Sequence, residues 1–97
     1  MNQFELIGKV CEEPERSETN SGIKMARIKL SVDKGKDDDK TPELYEVTVF
    51  RQLAELDLRV GQYVGVVGKL TANNFEKEDK TYYNCQLIGN VLNLIGD

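Results

Sequence analysis

Tyr45 to Arg51 alternates with a period of two, so Val47 and Val49 share one face of a strand while Glu46, Thr48 and Phe50 share the other. With the valines inward, Phe50 faces solvent, a partner subunit or a ligand, and a large ring on such a face calls for something to meet it. A second stretch, Ile23 to Asp33, directs Ala26, Ile28, Leu30 and Val32 inward and Met25, Arg27, Lys29 and Ser31 outward. Neighbouring outward bases on one strand suit an anion track. More bases fall within candidate strands, namely Lys9, Lys24, Arg51 and Lys69, and Lys77 and Lys80 flank a turn near Phe75, Tyr82 and Tyr83. These residue types offer contact through ring faces and pairing with phosphate, against the plain alternative of solvated surface for each base.

Catalytic chemistry has little to stand on. The sequence has no histidine, so acid–base work would fall to lysine or to carboxylates, and the carboxylates lie in runs that read as polar loops. No glycine loop of the phosphate-cradling kind appears, and no cofactor is expected. Cys11 and Cys85 are too far apart for a paired-cysteine metal site, and both read as reduced, buried thiols.

The elements that must position the rings and bases belong to a short chain. Its 97 residues read as one domain, 1–97, of a size that gains from oligomerisation. No apolar run approaches the roughly 20 residues of a membrane span, and Met1 to Glu5 lacks the features of a signal peptide, so a cytoplasmic protein is expected. The net charge of -4 speaks against a polyanion partner if taken as a sum. Its distribution says more. Acids crowd into likely turns (Glu12, Glu13, Glu15 and Glu18; Asp37, Asp38, Asp39 and Glu43; Glu76, Glu78 and Asp79), while bases sit more often within strands.

Phe4 to Val10 is a first strand with Phe4, Leu6 and Val10 on one side and Ile7 on the other, so a partner for its second face is expected. Glu12 to Gly22 reads as a hairpin connection closed by Asn20-Ser21-Gly22, and Lys34 to Pro42 as a charged loop. Gln52 to Leu58 holds good helix formers without Gly or Pro and gives at most two helical turns before Gly61. From Tyr63 the alternation returns, with Val64 and Val66 on one face and Gly65 and Gly68 leaving room for close neighbours. Thr71 to Phe75 continues that strand, Glu76 to Lys80 turns, and Thr81 to Leu87 returns as a projecting hairpin. Tyr82 and Tyr83 face opposite sides of it, which would leave one in the core. Ile88 to Ile95 closes the chain, with Val91 and Leu94 or Ile95 as packing residues. The expected fold is all-β, a five-stranded Greek-key OB-fold barrel with one short helix between the third and fourth strands and a projecting hairpin between the fourth and fifth.

Leu6-Ile7-Gly8-Lys9-Val10 followed by Pro14-Glu15, Asn20-Ser21-Gly22, Ala26 to Leu30, Val47-Thr48-Val49-Phe50 with Leu53-Ala54-Glu55, and Gly61 with Val64, Val66, Gly68 and Leu70 resembles the bacterial and phage single-stranded-DNA-binding protein family. The resemblance covers nearly the whole chain. It implies sequence-tolerant binding of single-stranded DNA in replication, recombination or repair, by stacking on outward rings and phosphate contacts from strand bases. Phe50 falls on the family's aromatic position in the third strand, Phe75 where a hairpin tryptophan is usual, and Tyr82 or Tyr83 on a tyrosine of the return arm. The nucleic-acid contacts expected are therefore Phe50, Phe75, Tyr82, Arg27, Lys29, Arg51, Lys69 and Lys77. The chain lacks tryptophan, carries Leu44 where the family often has one, and places Glu46 where a base is usual, so weaker binding is expected.

The resemblance also implies self-association, as a homodimer or homotetramer. The sequence stops at Asp97 without the acidic tail through which longer members recruit other proteins, so no such recruitment is expected. The chain is similar as well to primosomal replication protein N, a dimeric replication-restart relative, and an OB module that binds only protein is a further alternative. A bacterial cell is the implied setting, with a phage or mobile element as the encoding source left open.

Overall fold

The computed structural model describes residues 1–33 and 41–96, so the charged loop expected from Lys34 lies, through residue 40, outside the described residues. The described strands are β1 (Phe4–Val10), β2 (Glu15–Glu18), β3 (Lys24–Val32), β4 (Glu43–Phe50), β5 (Tyr63–Ala72), β6 (Phe75–Lys77), β7 (Lys80–Tyr82) and β8 (Cys85–Gly96), with a 3-10 turn at Arg51–Glu55. Strands β1, β5, β8, β4 and β3 are hydrogen-bonded in that order, and β1 meets β3 again through Lys9↔Ser31 and Val10↔Leu30. That pairing closes the expected five-stranded barrel. All contacts among its strands are antiparallel except β4 with β8.

Alternation fills the barrel. Val10, Ala26, Ile28, Leu30, Val47, Val49, Val64 and Val66 are buried inside it, and Ala54 and Leu58 plug it from the segment after β4. The inward set of β3 is as expected, with Val32 only half-buried near the strand's end. Two glycines mark where backbones and side chains leave no room. A Cβ on Gly68 would run into the Ile88 carbonyl, and one on Gly89 would lie 2.9 Å from Val49 Cγ1 and 3.0 Å from Val66 Cγ1.

Several expectations need correcting. The connection from Glu12 to Gly22 contains the strand β2, paired with β3 from Glu15↔Arg27 to Glu18↔Lys24. All four of its residues are exposed, so no apolar alternation advertises it. The helix expected over Gln52 to Leu58 is a single 3-10 turn, Arg51–Glu55, with no side-chain cap and no acid in its first turn. Arg51 enters it at φ 60°, a left-handed conformation costly for a side-chain-bearing residue. Arg16 of β2 finishes the turn instead, its guanidinium donating to the carbonyls of Ala54 at 3.2 Å and Leu56 at 2.6 Å.

The strand from Tyr63, β5, stops at Ala72, short of the Phe75 expected, and the last, β8, runs from Cys85. On that last strand the packing residues are not Val91 and Leu94 or Ile95, which are all exposed. Val67 faces Val91 while Gly68 faces Gly89, so Asn90 is an extra residue that shifts the register and puts Leu92, opposite Val66, against the core. Cys85, expected to be buried, is exposed at the start of β8, and Cys11 is half-buried with its thiol donating to the Lys29 carbonyl at 3.3 Å. No helix among the described residues is long and apolar enough to cross a membrane.

Candidate nucleic-acid interface

Phe50 is the last residue of β4 and is half-buried on the side away from Val47 and Val49. It lines an open depression with Arg51, Leu53, Ile88 and Asn90. Ile88 on β8 sits between β4 and β5, opposite Thr48 on one side and Lys69 on the other. Phe50, Thr48, Ile88 and Lys69 therefore belong to the outer face of the β4–β8–β5 part of the barrel. That face is not uniformly open, for Thr48 is only 2% exposed and accepts a hydrogen bond from the Gln86 amide at 3.4 Å. The alternation assigned Thr48 to the right side, but β8 and its side chains cover it there. Lys69 is exposed.

Beyond Ala72 the chain leaves the barrel, closed at the base by Asn73 N–H donating to the Asn84 carbonyl at 2.8 Å. Strands β6 and β7 form a two-stranded ribbon of their own, with pairs Phe75↔Tyr82, Glu76↔Thr81 and Lys77↔Lys80. Pairs two apart lie on the same side, so one face of the ribbon carries both rings and both lysines while the other carries Glu76 and Thr81. The two rings stack, with centroids 5.1 Å apart and planes 14° from parallel. Glu78 and Asp79 at the tip are both left-handed, as a two-residue hairpin turn requires. Neither tyrosine is core: Tyr82 is 43% and Tyr83 78% exposed, because the ribbon has no barrel face to pack against.

The outward bases of β3 have partners. Lys29 Nζ lies 3.0 Å from Glu12 and 3.7 Å from Glu15, and Arg27 lies 4.0 Å from Glu15. Its hydrogen bond to Glu12, then the charges of Glu12, Glu15 and Glu46, hold the Lys29 ammonium above its ordinary pKa. Lys24 is held up in the same way by Glu55, whose carboxylate is 2.5 Å away. By contrast Arg51, Lys69, Lys77 and Lys80 have no ion pair among the described residues.

The structure thus groups the expected residues in three places: Phe50 with Arg51, and Lys69 across Ile88, on the barrel; Phe75, Tyr82 and Lys77 on the ribbon; Arg27 and Lys29 on β3 among carboxylates. Sequence reasoning missed Glu12 and Glu15 as partners of the bases, because they lie in a stretch without periodicity. It also missed Ile88 and Asn90 beside Phe50, whose placement depends on the bulge at Asn90.

The model of the Single-strand binding protein family matches residues 1–95. The chain belongs to that family. Among curated relatives, Single-stranded DNA-binding protein 1 of Staphylococcus aureus strain Mu50 and the protein of the same name from strain MSSA476 are each 26% identical over 102 aligned positions. The chain spans 65% of the length of these relatives, and 98% of the chain is matched. The fold superposes on a deletion mutant of the single-stranded DNA binding protein from Thermus aquaticus with a TM-score of 0.78 at 23% identity, covering 98% of this chain and 50% of that one. A Plasmodium falciparum SSB complex with ssDNA gives a TM-score of 0.72 at 24% identity, covering 98% and 95%. At such identities the two structures speak for the OB barrel alone.

Proposed function

We propose that this chain binds single-stranded DNA with little regard to sequence, in replication, recombination or repair. The strand crosses the outer face of β4, β8 and β5 and continues onto the ribbon. Phe50, Phe75 and Tyr82 supply ring faces, and Arg51, Lys69 and Lys77 contact phosphates, with Lys80 joining them. Arg27 and Lys29 stay paired with Glu12 and Glu15 in the native chain and would join the cationic set only where those carboxylates are removed. The observation that carries this reading is the ribbon itself, whose one face gathers the stacked Phe75–Tyr82 pair with two lysines that have no ion pair among the described residues. Ring faces accept any base, and cations follow the backbone, so no base-reading constellation is needed. Binding rather than catalysis is the activity, in keeping with a chain that has no histidine. Such a substrate sets the protein in the cytoplasm.

We further propose that the chain associates with itself, its 97 residues acting as one unit. Ile7 is 66% exposed on β1, and Ile95 lies beside it over Gly65, where a Cβ would touch both side chains. Val91 is exposed on the same outer face. A barrel buries its inside only, and an apolar outer face of this kind calls for a second copy. Titration of labelled oligo-dT against its duplex at two salt concentrations tests the first reading; equal affinity for both forms would refute it. Light scattering tests the second.

A further inference from the structure

Among the described residues, the cations expected to contact phosphate fall into two sets. Arg51, Lys69, Lys77 and Lys80 are unpaired among the described residues and lie in the 3-10 turn after β4, on β5 and on the ribbon, whereas Arg27 and Lys29, successive outward residues of β3, are held by Glu12 and Glu15. Glu46 stands directly across from Lys29 on β4. Three carboxylates thus surround two bases, so Arg27 and Lys29 are outnumbered by their acidic neighbours although the sequence of β3 reads as an anion track. A cation already paired with a carboxylate gains little by moving to a phosphate, since the freed carboxylate is left uncompensated beside a second negative charge. Each pair is exposed and weak alone, so it is the set of three carboxylates around the two bases that keeps phosphate away.

We propose that Glu12 and Glu15 set the footprint of the DNA site by occupying Lys29 and Arg27, which confines the strand to the β4–β8–β5 face and the ribbon and closes the β3 branch to phosphate. The inference rests on the DNA-binding reading above and adds to it residues that determine how much strand is bound. These glutamates need not touch DNA; they act through the bases they hold.

The test is a salt series of oligo-dT binding, with the occluded length on poly-dT, for the Glu12→Gln/Glu15→Gln variant. Glutamine keeps the shape and removes the charge. The expected result is a slope of log affinity against log salt steeper by roughly 1.4, two contacts at about 0.7 each, together with a longer occluded length. Arg27→Ala/Lys29→Ala should leave the slope nearly unchanged in the native background and remove the gain in the glutamine background. A control, Glu5→Gln/Glu13→Gln, removes the same charge from carboxylates that form no ion pair with these bases and should leave the slope unchanged. The proposal is overturned if the Glu12/Glu15 variant keeps the native slope and length, if the control steepens it equally, or if the Arg27/Lys29 variant flattens it by the same amount in both backgrounds. In those cases native binding to oligo-dT stays intact. If neither native protein nor variant binds oligo-dT, the DNA-binding reading fails and this inference goes with it.

Discussion

The rings of Phe75 and Tyr82 lie nearly parallel across the ribbon, centroids 5.1 Å apart, so each has one of its two faces covered by the other. A base that stacks on either end of this pair meets one ring directly and the second through it. The pair is then one platform rather than two.

Phe75→Ala and Tyr82→Ala should each weaken binding of a labelled oligonucleotide by about 1 to 3 kcal/mol. The double substitution should cost clearly less than the sum, because the first change already leaves the remaining ring without its support. A strictly additive double-mutant cycle would mean that the rings hold separate bases.

Phe50 is not part of that platform. Phe50→Ala should lower affinity by about 1 to 3 kcal/mol with the salt slope unchanged, because a ring releases no counterion. Half-buried beside Ile88 and Leu53, the ring should also contribute to stability, and a fall in melting temperature is expected alongside. A variant that melts earlier but binds normally would assign Phe50 to packing alone.

Gly89 sits where three valines of the core converge. Gly89→Ala should destabilise the barrel by about 1 to 3 kcal/mol in urea unfolding, since its Cβ would press on Val49 and Val66, which belong to β4 and β5 and have no free side to move into. Unchanged stability would show that the strands can part around the added methyl.

What the sequence disclosed follows from how the barrel is built. Ala26, Ile28 and Leu30 alternate without interruption, and so do Val47 and Val49, because each strand meets the core on one side only. Where the strand carries an extra residue, as at Asn90, the alternation misleads, pointing to Val91 as a packing residue where Leu92 holds that place. The strand β2 was illegible because Glu15, Arg16, Ser17 and Glu18 contain no apolar residue to show a side. The same stretch supplies Glu15 to Arg27 and Lys29 and Arg16 to the carbonyls of Ala54 and Leu56. Ion pairs across strands are set by register, and register here was visible only in three dimensions. Phe50 and Phe75 were legible as outward rings, but their different settings, one beside Ile88 and one against Tyr82, were not.

Ile7 and Ile95 both lie over Gly65 on the outside of the barrel. Ile7→Lys should reduce the mass seen by light scattering at micromolar concentration, because an ammonium set among apolar residues at an interface cannot be desolvated cheaply. Ile7 is exposed in the single chain, so the variant should keep its far-ultraviolet circular dichroism. A native chain that is monomeric under these conditions would refute self-association outright.

The pairing of Lys77 with Lys80 gives a test in which stability and binding move in opposite directions. Like charges directly opposite each other on a two-stranded ribbon are unfavourable, by roughly 0.2 to 1 kcal/mol for a pair of this kind. Neither lysine has an ion pair among the described residues to relieve it, and the tip between them holds Glu78 and Asp79 in left-handed conformations. A ribbon selected for stability alone would place opposite charges there. A phosphate lying across both ammonium groups removes the repulsion, so the unfavourable pair is worth keeping only if an anion visits it. Lys80→Gln should therefore slow hydrogen exchange of the ribbon amides from Phe75 to Tyr82 while lowering the salt slope of oligo-dT binding by about 0.7. Lys77→Gln should do the same, and the double variant should lower the slope by about twice that amount. If either lysine can be replaced with slower exchange and no change in slope, the repulsion has no ligand to offset it, and the ribbon face loses its claim to the phosphate backbone.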